Sequence, residues 1–316
     1  MAIVIILSKI VLKKVESNLG YIRKKYKIID DIKAYKFLIN EFSISMGEAQ
    51  KWIDKRRVYI DGKILKIKNS NIKGNVEVIF FQPESSDLKP IFETDCFAVF
   101  DKPSGVLVHP NKLSKQYSLN DDIKFLFGKD ANVVHRIDKE TSGLVLVSKN
   151  KKCEVELKRL FEYRKIQKEY LALVDGTIDK EFLINAKLKA GLPGSMIKIK
   201  SHVCDDGLVA FTKIVPLKHI STKNKTIIKA IPKTGRTHQI RAHMFHVKHK
   251  IIGDPIYGVD ELFVDKFLNG DMSKLERLEL TGAKRLMLHA YSLSFQYNGI
   301  EYNIKSEMNF KELCDE

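Results

Sequence analysis

Asp138 lies in the run His135-Arg136-Ile137-Asp138-Lys139-Glu140-Thr141-Ser142-Gly143, so a carboxylate sits beside a guanidinium in a short polar loop. Such a carboxylate can attack an electrophilic carbon or take a proton from a polar substrate. Val133 and Val134 before the loop and Leu144, Val145, Leu146 and Val147 after it read as buried strands. A rigid sheet can aim the polar residues between them. A second polar stretch is Pro232-Lys233-Thr234-Gly235-Arg236-Thr237-His238-Gln239-Ile240-Arg241-Ala242-His243-Met244. Gly235 permits a tight strand-to-helix turn, and the helix it opens would direct backbone N–H groups toward an anion. A third stretch, Lys168-Glu169-Tyr170-Leu171-Ala172-Leu173-Val174, alternates so that Tyr170, Ala172 and Val174 share one strand face. A lone strand tyrosine at such a position is usually core.

Other chemistries fit these residues less well. Ser142, His135 and Asp138 lack the strand-elbow-helix context of a nucleophilic serine. His238, His243, His246 and His249 cluster, but no Asp or Glu lies among them to build a hydrolytic metal centre, so no metal is expected. Neither a dinucleotide-binding glycine fingerprint nor a phosphate-binding loop occurs, and no cofactor is implied.

A chain of 316 residues, 44% hydrophobic and 30% charged, can fold as one large domain plus a small one without disulfides. The net charge of +16 favours a polyanionic partner, though a lysine-rich genome would also inflate it. Cys96, Cys153, Cys204 and Cys314 are scattered with no close pair, so neither a zinc ribbon nor a disulfide framework is expected, and a reduced, cytoplasmic setting follows. The apolar run at residues 2–7 is too short to span a membrane and reads as an edge strand, a disordered extension or the product of an upstream start codon in preference to a signal anchor.

Residues 1–30 form a basic extension containing Arg23, Lys24, Lys25 and Lys27. Two helical patterns follow, near residues 32–42 with Tyr35, Leu38, Ile39 and Phe42 on one face, and 46–57 with Ala49, Trp52 and Ile53. Ser45 and Glu48 form a capping box for the second. Val58-Tyr59-Ile60, a turn at Asp61-Gly62 and Lys63-Ile64-Leu65 make a hairpin, and residues 76–81 a further strand. Lys51, Lys55, Arg56, Arg57 and Lys63 cluster at the helix end and hairpin, where they could meet one phosphate backbone rather than simply face solvent. Residues 83–89 read as a linker. From residue 90 strands and helices alternate irregularly, which argues for an α+β fold with a large mixed, mainly antiparallel sheet and flanking helices rather than a doubly wound one.

The loop around Asp138, the stretch Thr234 to His243 and the Lys168-Tyr170 strand resemble, in order, the HRxD...TSG, TGRxHQIRxH and K-x-Y motifs of the RluA-type pseudouridine synthases. Asp101-Lys102-Pro103, His109-Pro110, Gly253-Asp254-Pro255, Tyr257-Gly258 and Leu288-His289-Ala290 support the match over about residues 90–295; Ile137 stands where that family most often has Leu. Residues 31–82 resemble the S-four RNA-binding domain. The resemblance implies an RNA uridine isomerase acting as a monomer, without cofactor or membrane, on large-subunit ribosomal RNA, with transfer RNA as the alternative substrate. It implies that Asp138 starts the chemistry, Arg241 pairs with it, and Tyr170 stacks on the uracil; the base that takes hydrogen from ring carbon five is unassigned, with Tyr170 one candidate. Arg136 would fill the stack left by a flipped nucleotide, with His135, Thr141, Lys168, Arg236, His238 and Gln239 also facing RNA. The rival readings are a non-catalytic RNA-binding protein, which needs no carboxylate beside phosphates, and a metal-dependent nuclease built on the histidines.

Overall fold

The computed structural model describes residues 4–5, 21–81, 85–110, 117–191 and 197–310. It divides into two compact units. The first is a five-stranded sheet with two helices. Its elements in chain order are β1 (Val4–Ile5), β2 (Tyr21–Lys33), α1 (Ala34–Phe42), α2 (Met46–Asp54), β3 (Val58–Ile60), β4 (Lys63–Ile64) and β5 (Asn71–Phe81), and the strand order is β1-β2-β5-β3-β4. Phe37, Leu38, Ala49 and Ile53 from the helices close over Tyr26, Val58, Ile72, Val76 and Val78 of the sheet. Ser45 caps α2 by accepting from Glu48 N–H at 3.2 Å. Asp61 and Gly62 turn the β3–β4 hairpin, both at positive φ.

The N-terminal boundary differs from the expectation. Tyr21–Lys33 is a full strand of this sheet, in register with β5 from Tyr21↔Phe81 to Lys33↔Asn71, so the basic residues before position 31 belong to the small domain. Their charges hid the alternation: Arg23, Lys24 and Lys25 pair with Glu77 and Glu41 while Tyr26 and Ile28 point into the core. Of the apolar run 2–7, Val4 and Ile5 form β1; the rest of it lies outside the described residues, as do Pro83 and Glu84 of the expected linker.

The second unit opens with β6 (Pro90–Glu93) and β7 (Phe97–Lys102), then α3 (Leu119–Phe127), β8 (Asn132–Val133), β9 (Ser142–Ser148), α4 (Lys151–Glu162) and β10 (Gln167–Asp175). There follow β11 (Phe182–Asn185), β12 (Leu188–Ala190), β13 (Ser201–Val203), β14 (Phe211–Ile220), β15 (Lys225–Pro232), α5 (Gln239–His246), α6 (Glu261–Asn269), α7 (Lys274–Thr281), β16 (Leu288–Tyr297) and β17 (Ile300–Lys305). A ten-stranded sheet runs β11-β14-β15-β10-β16-β9-β7-β6, with β17 on β16 and β8 on β9. All its pairings are antiparallel except β9 with β16, so the expected mixed, mainly antiparallel sheet is present. Ser85 and Ser86 are held to this unit by the buried Asp122 carboxylate, which accepts from Ser86 N–H at 2.8 Å and from both hydroxyls.

β9 is buried over its whole length. Leu144 and Leu146 face a core with Cys153, Leu157 and Leu293, while Val145 and Val147 face another with Leu119, Ile123 and Phe100. A strand covered on both faces reads as a continuous apolar run, and each of its large side chains contributes roughly 2 kcal/mol by burial. The cysteines depart from the expectation that no disulfide forms. Cys96 and Cys153, 57 residues apart in sequence, are joined by a disulfide with Cα atoms 5.7 Å apart, because the start of β7 and the first turn of α4 pack against one core. Sequence spacing could not show that proximity, and cysteine usage no longer supports a reduced setting. Cys204 is free.

The parallel junction fixes the position of the Asp138 loop. Gly143 pairs with Ala290 on one side of β16, and Tyr170 pairs with the same Ala290 on the other. Gly143 has φ +111, and a Cβ there would lie 2.3 Å from the Ala290 carbonyl oxygen. Gly143→Ala is therefore expected to lower stability by about 2–4 kcal/mol, read as a fall in the urea unfolding midpoint; an unchanged midpoint would show that the junction yields.

Candidate active site

The sheet brings the three polar stretches around one cleft of about 490 Å³, lined by Arg136, Asp138, Thr141, Lys168, Tyr170 and Arg241, among others. The loop before β9 is pinned by groups that sequence reading did not assign. Buried Lys102 donates from Nζ to the carbonyls of Pro103 (2.8 Å), Val106 (2.7 Å) and Lys139 (3.1 Å). Burial pushes its ammonium down to about 7. Three carbonyl acceptors favour the charged form, since a neutral amine has only two N–H donors. Ser104 Oγ donates to Glu140 O at 2.6 Å, and the Glu140 carboxylate is paired with buried Arg277 at 2.6 Å. Arg277 also donates to Gly253 O at 2.9 Å, which ties this loop to the turn carrying Asp254.

At the cleft floor Arg241 is 2% exposed and bridges two carboxylates. Its Nε and one terminal nitrogen each reach Asp254 at 2.8 Å, and the other terminal nitrogen reaches Asp138 Oδ2 at 3.1 Å. Burial pushes the Asp254 carboxyl up, but the guanidinium and the N–H groups of Ile256 and Tyr257 outweigh it and hold it below the usual range. The Tyr257 ring lies 5.3 Å from the Arg241 carbon centre. Arg241 thus has three donors committed, with its fork fixed before any substrate arrives. Asp138 keeps part of its side chain open to the cleft, at 27% exposure.

Tyr170 forms one wall. The register of β10 against β16 shifts between Glu169 and Tyr170, a bulge of the kind that re-aims a side chain. Burial, and secondarily Asp138, pushes the Tyr170 phenol upward, so it stands neutral beside the carboxylate. A neutral phenol suits stacking and hydrogen-bond donation better than proton abstraction. Arg136 is exposed at the rim, while Lys168 and Arg236 are half-buried in the lining. Phe161, Arg164 and Ile166 also line the cleft and carried no motif that could have marked them.

Two residues expected to face RNA, His135 and Gln239, have side-chain polar groups engaged within the protein, and a third, Thr141, is buried. His135 Nε2 accepts from Leu146 N–H at 2.9 Å, and its ring stacks on Phe161 at 4.4 Å. Gln239 is 4% exposed; its oxygen accepts from Thr234 Oγ1 and Arg236 N–H, and its nitrogen donates to Phe211 O and Thr212 Oγ1. Thr141 is 2% exposed, with its N–H on Asp138 O. They shape the loop and the turn into α5. His238, in the left-handed region at φ 52, precedes α5 with Nε2 3.8 Å from Asp138 Oδ2. Of the remaining clustered histidines, His243 bonds to Thr212 Oγ1 and Ala186 O, and His249 to Asp175 O.

Burial, helped by nearby cations, pushes His135 down to about 3 and both His238 and His289 down to about 4. The unfolded rings take their protons near pH 6.5, so below that pH the unfolded chain binds more protons than the folded one. Stability contributed by these neutral rings is present above about pH 6.5 and is lost as pH falls toward 4. Urea unfolding between about pH 7 and 4.5, above the range where most carboxylates titrate, should show a falling midpoint; a flat midpoint would contradict neutral burial of these rings.

Residues 96–246 match the family described as RNA pseudouridylate synthase, and residues 36–78 match the S4 domain. An uncharacterized RNA pseudouridine synthase of Helicobacter pylori is 36% identical over 294 residues, covering 91% of this chain and 96% of that protein. The ribosomal large subunit pseudouridine synthase D of Nitrosomonas europaea is 30% identical over 228 residues, 68% of this chain and 65% of that one. The solved structure of human RNA pseudouridylate synthase domain containing 1, at 23% identity, superposes with a TM-score of 0.54 over 72% of this chain and 86% of its own, which supports the fold. The chain belongs to the RluA-type family of RNA pseudouridine synthases, enzymes that isomerise uridine in RNA, and carries an N-terminal S4 domain.

Proposed function

We propose that this protein isomerises specific uridines in large-subunit ribosomal RNA, with Asp138 as the group that acts on the ribose. The observation that carries the reading is the partly open Asp138 carboxylate held by buried Arg241 on the floor of a cleft with Tyr170 as one wall. The relatives named for the large ribosomal subunit support the choice of RNA. Such a substrate places the work in the cytoplasm.

A stacked uridine cannot reach the cleft floor, so the nucleotide flips out of its helix, at a cost of a few kcal/mol. Arg136, exposed at the rim, fills the vacated place in the stack. The uracil lies against Tyr170, and Lys168 and Arg236 in the lining meet the flanking phosphates. The bond between uracil nitrogen one and the anomeric carbon breaks, and ring carbon five bonds to that carbon. Hydrogen leaves carbon five and nitrogen one gains a proton, so atoms and electrons balance without a redox partner. An Asp138 oxygen starts this by bonding to the anomeric carbon or by taking a sugar proton to give a glycal; either route needs the carboxylate aimed by Arg241. On the small domain, Lys51, Lys55, Arg56 and Lys63 are exposed and half-buried Arg57 adjoins them, a surface suited to phosphate contact.

The test is pseudouridine mapping by carbodiimide-dependent primer stops on ribosomal and transfer RNA, with EDTA present. Wild-type protein should add stops in large-subunit ribosomal RNA, and Asp138→Asn should add none while binding RNA with similar affinity. Equal stops from both proteins would remove Asp138 as the initiating group, and stops confined to transfer RNA would overturn the substrate.

A further inference from the structure

Helix α5 has a second basic groove on its other side. The catalytic cleft is lined by Gln239, Ile240 and Arg241, whereas Ala242, Phe245 and His246 form one wall of a separate groove of about 600 Å³. The opposite side is built from Lys200 and the strand β13, and Lys248 and Lys250 come from the loop after α5. The lining therefore holds Lys200, Lys248 and Lys250 with His202 and His246, against a single carboxylate, Asp175. None of the three lysines forms an ion pair among the described residues, although salt bridges are made by many other lysines of the chain. Uncompensated ammonium groups converging on a concave surface raise the local concentration of anions.

Aromatic groups narrow the class of anion. Phe245 is 42% exposed, and Lys200 Nζ lies 5.8 Å from the ring centres of both Phe245 and Tyr257. Cations interleaved with an accessible ring suit a single nucleic-acid strand, whose phosphates meet the lysines and whose bases have a face to stack. An acidic peptide would use the charges and leave the ring without a role. His202 Nδ1 is shielded from solvent and has no hydrogen-bond partner among the described residues, so this wall also retains an unmet polar atom. Tyr257 joins the two sites: its ring carries Arg241 at 5.3 Å and Lys200 at 5.8 Å.

We propose that this groove is a second RNA-backbone site, which holds the strand beyond the target nucleotide by its phosphates through Lys200, Lys248 and Lys250. The proposal rests on the reading of the protein as an enzyme acting on RNA. It adds a contact surface separate from the catalytic cleft and from the S4 domain.

The test compares the full-length protein with a triple variant, Lys200→Gln, Lys248→Gln and Lys250→Gln, by fluorescence anisotropy on a labelled oligouridylate of about 40 nucleotides, longer than single-strand site sizes. Affinity should fall about tenfold, and the slope of log affinity against log salt should flatten by about 2, since each lost phosphate contact on a single strand removes about 0.7. The single-turnover rate of uridine isomerisation at saturating RNA should stay within about twofold, because binding beyond the target is uniform between ground and transition states. Lys248→Gln alone, an exposed side chain, gives the same reading at about threefold should the triple variant lose its fold. Unchanged affinity and salt slope would overturn the proposal. So would a loss seen only with a labelled polyglutamate, which would assign the groove to an acidic protein partner. Binding is read without turnover, so failure of the isomerase assay and failure of the groove are separate results.

Discussion

The buried guanidinium of Arg241 is the constraint on which the site depends. An unpaired charge at 2% exposure would cost several kcal/mol. Asp254 removes that cost by accepting two of its N–H groups, and is itself held by two backbone N–H groups. With the fork fixed on one carboxylate, the remaining terminal nitrogen has one direction available, and Asp138 lies along it at 3.1 Å. Removing one partner of a buried pair leaves the other charge stranded, so Asp254 and Arg241 act as one device. Asp138 is the partner that stays partly open to the cleft.

The rest of the unit makes that geometry repeatable. β9 lies between two cores, so the start of the strand has little freedom, and Gly143 allows it to approach β16 more closely than any side chain would. Lys102 and Ser104 hold the loop from the side of the Pro103 turn, and Arg277 joins it through Glu140 to the turn of Gly253 and Asp254. Both carboxylates bridged by Arg241 are thus mounted on segments that are themselves tied together. The bulge at Tyr170 sets the aromatic wall on the other side of β16.

Much of this was legible because it is local. The apolar run after Gly143 marked β9, alternation marked β10, and Asp61-Gly62 marked a hairpin turn. The motif resemblance supplied Asp138, Arg241 and Tyr170 together, and the structure brings them to one cleft. What was not legible depends on long-range proximity. Asp254 belonged to a recognised motif, but its bond to Arg241 spans a turn that no periodicity describes. Arg277 and Glu140 are 137 residues apart, and the two bonded cysteines 57. Strand β2 was hidden for another reason: its outward charges are neutralised by Glu41 and Glu77 from other elements, so a paired strand read as a basic extension. Gln239 and His135 carry polar groups that a motif assigns to substrate, yet folding uses them first to satisfy backbone and side-chain partners.

The most direct test of Asp254 acting through Arg241 is a double-mutant cycle on single-turnover pseudouridine formation, using Asp254→Asn, Arg241→Lys and the double variant with RNA binding measured in parallel. If Asp254 serves the reaction only by aiming Arg241 at Asp138, each single change slows the step about 100-fold or more, and the double variant is no slower than Arg241→Lys alone. Losses that multiply in the double variant, or an Asp254→Asn protein with the wild-type rate, would contradict the account.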